Sequence, residues 1–330
     1  MISIISDVIS KKYEDLDEFL AESAQTSSQL VNSEPVPIPY LIDPLILKGN
    51  YHLLTGPIGN MKSYFSLWLA SQLAKIGQKV LLVDKENSLV MIQARARSMG
   101  LVDSDNLIYW CERPGENETA PPDFKHGLKL YHRIVEAWEN PVLIFDTLNR
   151  FAPGLDENSV KDTTFITDSL MSLRNKGATI IALHQVGKPS EGSYQHYRGS
   201  SEIGGGSDIG LTIRGFNRNS QGAYFSLNCF KTRWLPFSDL SIVFDTGQFY
   251  ILPDSMQPNK FFNMRKSITE YLTNCSNVKS DEIVEAMNTK KFGHHTAKDV
   301  KWILNNCRKN HWLKIEGGGN SFVYKNMPVL

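Results

Sequence analysis

One short glycine-rich stretch constrains the fold more than any other part of the chain. It reads Gly-Pro-Ile-Gly-Asn-Met-Lys-Ser from Gly56 to Ser63, follows an apolar run at 51–54 and precedes a helical pattern that begins at Tyr64. A strand, a glycine-rich turn, a Lys-Ser pair and a helix together present backbone N–H groups and a helix N-terminus to a phosphate. The stretch therefore predicts a phosphate-binding loop between a strand and a helix of an α/β domain.

One position of this loop departs from the usual pattern, because Met61 stands where glycine is expected. Glycine lets the backbone approach a phosphate without a Cβ atom, and it adopts positive φ without strain. Methionine keeps the N–H group but adds bulk, and it adds strain if the residue has positive φ. Two outcomes therefore stay open at this point, namely slow turnover and nucleotide binding without turnover.

Strand and helix patterns alternate after the loop. The strands are predicted at 52–55, 80–83, 107–110, 142–146, 179–183, 209–213, 223–229, 240–245 and 249–252, and the helices at 63–76, 88–99, 127–140 and 159–176. Interleaving of the first five strands with helices predicts a mostly parallel sheet with helices on both faces. The later strands follow one another closely and predict antiparallel additions at one edge.

Composition narrows the class of protein without identifying a partner. The chain has 330 residues, 41% of them apolar, with 35 basic and 35 acidic side chains. No apolar run reaches the length of a membrane span, and the acidic N-terminus lacks a signal-peptide pattern. The four cysteines match neither a zinc motif nor a dense disulfide framework. We therefore expect a cytoplasmic α/β protein without a membrane partner.

Four segments are predicted along the chain. Residues 1–35 form an N-terminal helical arm with a polar linker at 24–33, residues 36–253 the α/β domain, 254–263 a second linker, and 264–330 a small C-terminal domain. The arm could equally be a helix that packs on its own domain.

The C-terminal domain is predicted to be a winged helix-turn-helix. Helical patterns at 266–274, 280–288 and 296–310 precede a hairpin around the glycines at 317–319. The third helix of such a domain usually enters the DNA major groove. Lys298 and Lys301 on that helix are therefore candidate DNA contacts, with a protein-binding winged helix as the alternative.

Two carboxylates follow strands whose ends meet at the ligand-binding edge of such a sheet. Glu86 follows the second strand and could activate a water molecule as general base. The alternative is an acid that stabilises a helix start. Asp146 ends the apolar strand 142–146 in the Walker B arrangement and would hold Mg²⁺ together with Ser63. Its alternative is a helix cap.

Polar groups beyond the next strand suggest a sensor and a nucleic-acid contact. His184 and Gln185 end the strand 179–183 and could respond to the γ-phosphate. The segment 187–198 combines cations and aromatic side chains, which suits phosphate contact and base stacking along a single strand. An uninvolved surface loop is the alternative. Its candidate DNA contacts are Lys188, Tyr194, His196 and Tyr197.

These motifs, in this order, resemble the RecA-type ATPases of the plasmid RepA replicative-helicase group. The resemblance covers roughly residues 36–250 and rests on 56–63, 84–87, 146–151, 156–158, 184–185 and 198–203. The last of these, extended to Arg214, is also similar to DnaB-type hexameric helicases.

The resemblance implies a ring of identical subunits, with ATP and Mg²⁺ between subunits and single-stranded DNA in the channel. Lys62 and Ser63 fall on its phosphate and magnesium positions, and Glu86 and Asp146 on its catalytic-base and Walker B positions. The implied nucleotide contacts are Gly56, Pro57, Ile58, Gly59, Asn60, Met61, Lys62, Ser63 and Tyr64.

The resemblance also implies a cation that acts on the neighbouring subunit's γ-phosphate. Lys231 and Arg233 look like the basic pair of DnaB-type rings, and Arg198 is a rival. The alternative for Arg233 is a surface cation beside Trp234.

Three functions remain open from the sequence. The first is a hexameric DNA helicase for a plasmid, phage or other mobile element, with a replication initiator or primase as a possible partner. The second is an ATPase that controls DNA binding or assembly without unwinding. The third is a recombination-type ATPase, which would form filaments.

Overall fold

The computed structural model describes residues 24–34, 37–101, 103–112, 120–186, 197–220, 222–234, 238–275, 277–307, 311–316 and 322–326. The chain divides into two units, residues 1–39 and 40–330. In the first unit, helix α1 (Ser27–Asn32) is closed by a capping box between Thr26 and Gln29. A capping box thus stabilises a short helix within the predicted linker 24–33, although this helix buries no side chain. The helix predicted over 1–24 lies outside the described residues except at Ala24.

The second unit contains most of the secondary structure. Its described strands are β1 (Tyr40–Ile42), β2 (Ile46–Leu47), β3 (Tyr51–Gly56), β4 (Val80–Asp84), β5 (Leu107–Cys111), β6 (Val142–Asp146), β7 (Thr179–Gln185), β8 (Ile209–Asn219), β9 (Gly222–Thr232), β10 (Leu240–Asp245), β11 (Gln248–Ile251), β12 (Val278–Lys279), β13 (Trp312–Glu316) and β14 (Phe322–Asn326). Its described helices are α2 (Lys62–Lys75), α3 (Leu89–Ser98), α4 (Phe124–Ala137), α5 (Val160–Asn175), α6 (Ser201–Gly205), α7 (Pro258–Asn274), α8 (Ser280–Met287) and α9 (Ala297–Asn306), with a 3₁₀ helix at Leu148–Phe151.

A nine-stranded sheet organises this unit, in the order β11-β10-β9-β8-β3-β7-β6-β4-β5. The six strands from β8 to β5 are parallel, whereas β9, β10 and β11 continue the sheet antiparallel at one edge. The prediction of a mostly parallel sheet is confirmed. The prediction of antiparallel additions is confirmed for β9, β10 and β11 but was wrong for β8, which pairs parallel with β3.

Helices cover both faces of the sheet. On one face, Leu53 and Leu143 share a core cluster with Tyr131 of α4 and Leu170 of α5. On the other face, Phe65 of α2 contacts aromatic rings of β9 and β11. Because both faces are covered, β4 and β6 are buried along their whole length and read as continuous apolar runs.

A second core joins the antiparallel edge to the C-terminal helices. Val243 and Tyr250 of the β10–β11 hairpin share this cluster with Phe261 of α7, Ile303 of α9 and Trp312 of β13. The Trp312 indole N–H donates to the Leu304 carbonyl over 3.1 Å, which fixes the start of β13 beneath α9. Strands β13 and β14 follow the three helices and form a small sheet of order β12-β14-β13 with β12, which lies between α7 and α8 in the chain.

Several boundaries differ from the sequence prediction. Helix α7 begins at Pro258, inside the predicted linker 254–263, because proline suits the first helical position and Phe261 and Phe262 enter the core. Helix α4 begins at Phe124 rather than at 127, since the Asp123 carboxylate caps it by accepting the His126 N–H. Helix α9 ends at Asn306. None of the described helices is long and apolar enough to cross a membrane.

Candidate nucleotide-binding site

The glycine-rich stretch forms the turn between β3 and α2, as predicted. Lys62 is the first residue of α2, and its Nζ atom donates to the carbonyls of Gly56 and Pro57 over 2.8 and 2.9 Å. These bonds fold the lysine back over the loop. Burial lowers the pKa of Lys62, and the carboxylates of Asp146 and Glu86 oppose that shift. The lysine is therefore held beside both acidic residues of the site.

Met61 caps the start of α2 in the left-handed conformation, with φ 59° and ψ 19°. This is the region that favours glycine, and residues with a Cβ atom adopt it at a cost of about 1 kcal/mol. Met61 therefore has positive φ, which is the condition under which a methionine adds backbone strain to the loop.

Asp146 lies at the end of β6, buried beside the start of α2. Ser63 is hydrogen-bonded to its carboxylate, while burial, together with the neighbouring Asp84, raises the pKa of Asp146 to about 7. A carboxylate and a hydroxyl beside a lysine are the hard oxygen ligands that Mg²⁺ prefers. A divalent cation would also offset the unfavourable burial of the acid. The residues therefore fit a magnesium ion that arrives with a triphosphate.

Glu86 projects from the turn that follows β4, at the same edge of the sheet. Asp84 holds this turn, because its carboxylate accepts the N–H of Glu86 over 2.7 Å and that of Asn87 over 2.9 Å. The amide of Asn87 and the hydroxyl of Tyr109 donate to the other oxygen of Asp84. Sequence reasoning did not assign Asp84 or Tyr109 to the site. The paired strand ends of β4 and β5 would have placed both groups near Glu86.

The phosphate-binding loop, Glu86 and Asp146 line one cavity of about 550 Å³, a volume typical of small-ligand sites. Its phosphate end carries Gly59, Lys62, Ser63, Glu86 and Asp146. The remaining wall includes residues that sequence reasoning missed: Arg95, Ser98, Thr147, Arg218, Phe244 and Gly247. The guanidinium of Arg95 lies 4.6 Å from the centre of the Tyr64 ring, and Phe244 meets the same ring edge-on.

The two predicted sensor residues separate in the structure. Gln185 lines the cavity, whereas His184 is buried outside its lining. The Nε2–H group of His184 donates to the Arg198 carbonyl over 2.7 Å, and the Nδ1 atom of His184 has no partner among the described residues. Burial lowers the pKa of His184, so the neutral ring is favoured.

Arg198 does not line the nucleotide cavity but a second, smaller cavity. It forms an ion pair with Glu157, and both residues line a cavity of about 330 Å³. Its backbone N–H donates to Gln185 over 2.8 Å, so the main chain at this residue is tied to the end of β7.

Lys231 and Arg233 lie at the opposite edge of the sheet from the phosphate-binding loop. Thr232 pairs with Ile209, and Ile209 pairs with His52 at the start of β3, whereas the loop follows the end of β3. Lys231 donates to the carbonyls of Gly204 and Gly205 at the end of α6. Neither cation reaches the cavity of its own chain.

Asp208 lies beside Arg233 and is held mainly by other groups. Arg174 forms two hydrogen bonds to its carboxylate, over 2.7 and 3.0 Å, and the Tyr51 N–H donates over 2.9 Å. The Arg233 guanidinium lies 3.5 Å away, and half of its side chain is exposed. Arg233 is therefore available to a second molecule.

The residues predicted to contact DNA are only partly described. Lys188, Tyr194 and His196 lie outside the described residues. Tyr197 is half-buried and packs against Phe230, with 5.8 Å between ring centres. Lys298 is exposed on α9, and Lys301 forms a 3.5 Å ion pair with Asp281 of α8.

Four groups define a P-loop nucleoside-triphosphate site: a lysine and a serine at the start of the helix after β3, a buried carboxylate at the end of β6, which is two strands away, and a glutamate after β4, which pairs with β6. The family model AAA_25, described as an AAA domain, matches residues 17–191, more than half of the chain. The chain belongs to this family of P-loop AAA-type ATPases. No curated protein matches the chain. The matched range includes Lys62, Glu86 and Asp146 and ends before Lys231.

Proposed function

We propose that the protein is an ATP-driven motor that assembles into rings and moves along single-stranded DNA, as RepA-type and DnaB-type helicases do. One observation carries the proposal. Lys62, Ser63, Glu86 and Asp146 line one cavity at the carboxyl edge of the sheet, while Lys231 and Arg233 stand at the other edge. A neighbour in the same orientation would supply the missing cation.

Each residue has a defined part in hydrolysis. Lys62 would neutralise charge on the β- and γ-phosphates, and Ser63 and Asp146 would hold Mg²⁺. The metal ion supplies charge neutralisation at the phosphate oxygens. Glu86 accepts a proton from the attacking water molecule, and Asp84 holds the turn that aims it. Gln185 borders the same space and can respond to the γ-phosphate through the chain that follows β7.

Arg233 is the better candidate for the cation that acts on a neighbouring site. Half of its side chain is exposed, and Asp208 keeps two other partners when Arg233 moves away. A cation that meets the charge developing in the transition state can raise the rate by orders of magnitude. Arg198 stays the alternative, paired with Glu157 in its own chain.

The C-terminal part supports a DNA contact. Three helices and the hairpin β13–β14, which β12 extends to a three-stranded sheet, fit a winged helix, with α9 as the helix that would meet DNA. Lys298 is exposed on α9, and the pair between Lys301 and Asp281 is itself largely exposed, so it competes weakly with a phosphate. Replication of a plasmid, phage or other mobile element, with an initiator or primase as partner, is the setting we propose.

The decisive experiment measures ATP turnover with and without single-stranded DNA. The wild type should be stimulated by DNA, and Lys62→Ala should lose turnover in both conditions. Lys79→Ala is the matched control, because this exposed lysine precedes β4 and does not line the cavity. Absence of turnover, combined with DNA affinity that does not change with nucleotide, would refute the proposal.

A second candidate function is an ATPase that controls DNA binding or assembly without unwinding. The left-handed conformation of Met61 favours it, since the Cβ atom sits where the loop approaches phosphate. A strand-displacement assay separates the two functions. Displacement of a paired strand supports the motor, and DNA-bound assemblies without displacement support the second function.

A further inference from the structure

The β10–β11 hairpin separates the nucleotide cavity from the C-terminal helices. Phe244 and Gly247 line the cavity. Asp245, between them in the chain, points to the other side and is buried against the C-terminal part. Because successive residues of a strand face opposite sides, one hairpin forms a wall of both regions.

Two C-terminal groups hold Asp245 from different elements. The Arg265 Nε atom of α7 lies 3.0 Å from its carboxylate, and so does the Nε2 atom of His311, which directly precedes β13. All three side chains are largely or fully withdrawn from water, so Asp245 has these partners in place of water.

The turn of the hairpin is strained and is held in place by the same histidine. Thr246 has φ 46°, which is rare for a β-branched residue, and Gly247 has φ 80°. The Thr246 hydroxyl lies 3.1 Å from Nε2 of His311. Such strain persists only where the surroundings fix the conformation. His311 and Arg265 therefore determine where Phe244 and Gly247 stand.

The turn of the hairpin also packs against the C-terminal end of α3, the helix that carries Arg95. A Cβ atom on Gly247 would overlap the backbone at Ser98 and Met99, and the Gln248 amide donates to the Met99 carbonyl. The guanidinium of Arg95, stacked on Tyr64, has one nitrogen, Nη1, that is buried without a partner among the described residues. The rings of Tyr64 and Phe244 at this end of the cavity suit stacking with a base, and Nη1 of Arg95 can donate a hydrogen bond to a ribose hydroxyl.

We propose that the C-terminal segment sets the affinity of the cavity for the nucleoside part of the nucleotide, with Asp245 as the positioning residue. The inference rests on the proposed function, because it assumes that the cavity binds ATP. Arg265 and His311 hold Asp245, Asp245 holds the turn, and the turn places Phe244 and Gly247 beside Tyr64 and Arg95. By reciprocity, bound nucleotide stabilises the C-terminal segment.

The test compares ATP with inorganic tripolyphosphate, which lacks the nucleoside, by calorimetry with Mg²⁺ on the full chain. Asp245→Asn should weaken ATP binding about tenfold, within the usual range of coupling between sites. Its affinity for tripolyphosphate should stay unchanged. Lys62→Ala should weaken the binding of both, since it acts on the phosphates.

Asp299→Asn is the matched control. Asp299 is also buried and also pairs with α7, through Lys260 over 2.6 Å, but it does not touch the hairpin. Its loss should lower the melting temperature and leave ATP affinity unchanged. If Asp245→Asn does not fold, His311→Leu replaces it, and His311→Gln, whose amide can still donate, should restore ATP affinity.

Two results would overturn the inference while leaving the proposed function intact. One is unchanged ATP affinity in Asp245→Asn, and the other is equal weakening of ATP and tripolyphosphate. If the wild type binds neither probe, the proposed function itself fails.

Discussion

The Tyr109 hydroxyl donates a hydrogen bond to Asp84, whose other carboxylate oxygen accepts the Glu86 N–H. Tyr109→Phe removes the donor and keeps the ring. Because Glu86 depends on this turn for its aim, kcat should fall about tenfold, a fraction of what general-base catalysis supplies. The KM for ATP should change little. Steady-state kinetics check this, with Tyr271→Phe in the C-terminal helices as control. An unchanged kcat would show that Asp84 needs no help from Tyr109.

Met61 allows strain and bulk to be separated. Met61→Gly removes both and should raise turnover several-fold, while Met61→Ala removes only the bulk and keeps the strain of about 1 kcal/mol. If Ala behaves like Gly, side-chain bulk limits turnover. If Ala behaves like Met, the backbone conformation does. ATP turnover of the three proteins at saturating nucleotide gives the answer, and three equal rates would remove Met61 from the mechanism.

Substitutions of the two arginines beside Asp208 should affect different properties, the free energy of unfolding for Arg174 and ATP turnover for Arg233. Arg174→Ala leaves a buried carboxylate without its main partner and should lower the free energy of unfolding by about 3 kcal/mol. Arg233→Ala should lower it by less than about 1 kcal/mol, because the pair is long and the Arg233 side chain is half exposed. ATP turnover should nonetheless be lost in Arg233→Ala. Urea unfolding and turnover measure the two effects.

Mixing two inactive variants tests whether Arg233 acts on a neighbour. A Lys62→Ala subunit keeps Arg233, and an Arg233→Ala subunit keeps the phosphate-binding loop. An equimolar mixture should regain part of the wild-type turnover if the cation comes from another subunit. Activity that stays absent in the mixture, while Arg198→Ala complements Lys62→Ala, would assign the role to Arg198.

His52 predicts a pH dependence of stability. The Leu47 N–H donates to its Nε2 atom over 3.0 Å, so Nδ1 carries the proton and donates to Ile180 over 3.1 Å. Burial lowers its pKa from 6.5 to about 4, while the unfolded chain keeps the ordinary value. Between these values the unfolded state binds more protons, so stability falls as pH falls.

The expected loss is about 2 kcal/mol between pH 7 and pH 5. Urea unfolding of wild type and His52→Gln at both pH values measures it. Other histidines contribute equally to the two proteins, so the difference between the slopes belongs to His52. Parallel curves would contradict the assignment.

The phosphate end of the site was predictable because its signals are local. Lys62 and Ser63 belong to one motif, and Glu86 and Asp146 follow apolar strands whose ends meet at one edge. The end of the cavity with Arg95 and Phe244 was not predictable, since Arg95 lies on α3 and Phe244 on β10, far apart in the chain, and they meet only in the folded structure. Arg218 was missed for a different reason. Polar residues and Gly215, with φ 59°, interrupt the alternation of β8, although the strand continues across that irregularity to Asn219.

The fold, like the site, has parts that the sequence predicts from local signals and parts that it does not. Buried parallel strands read as apolar runs, so their positions were predicted closely. The start of α7 was not, because Pro258 was read as part of a linker when it marks the first turn of a helix. The partnership of α7 with β10 and β11 has no local signature, as it depends on the two elements meeting in one core.

The placement of Lys62 and Arg233 at opposite edges of one sheet constrains how subunits can associate. In a two-fold dimer, Arg233 of each molecule could reach the other's phosphate-binding loop only if both ends of the sheet lay in one shared interface, and both sites would then be completed at once. A heterologous, head-to-tail contact instead joins the two ends in series, so an open series of subunits keeps one free phosphate-binding end and one free Arg233 end. Only the rotation between successive subunits then decides whether the series closes or continues as a helix.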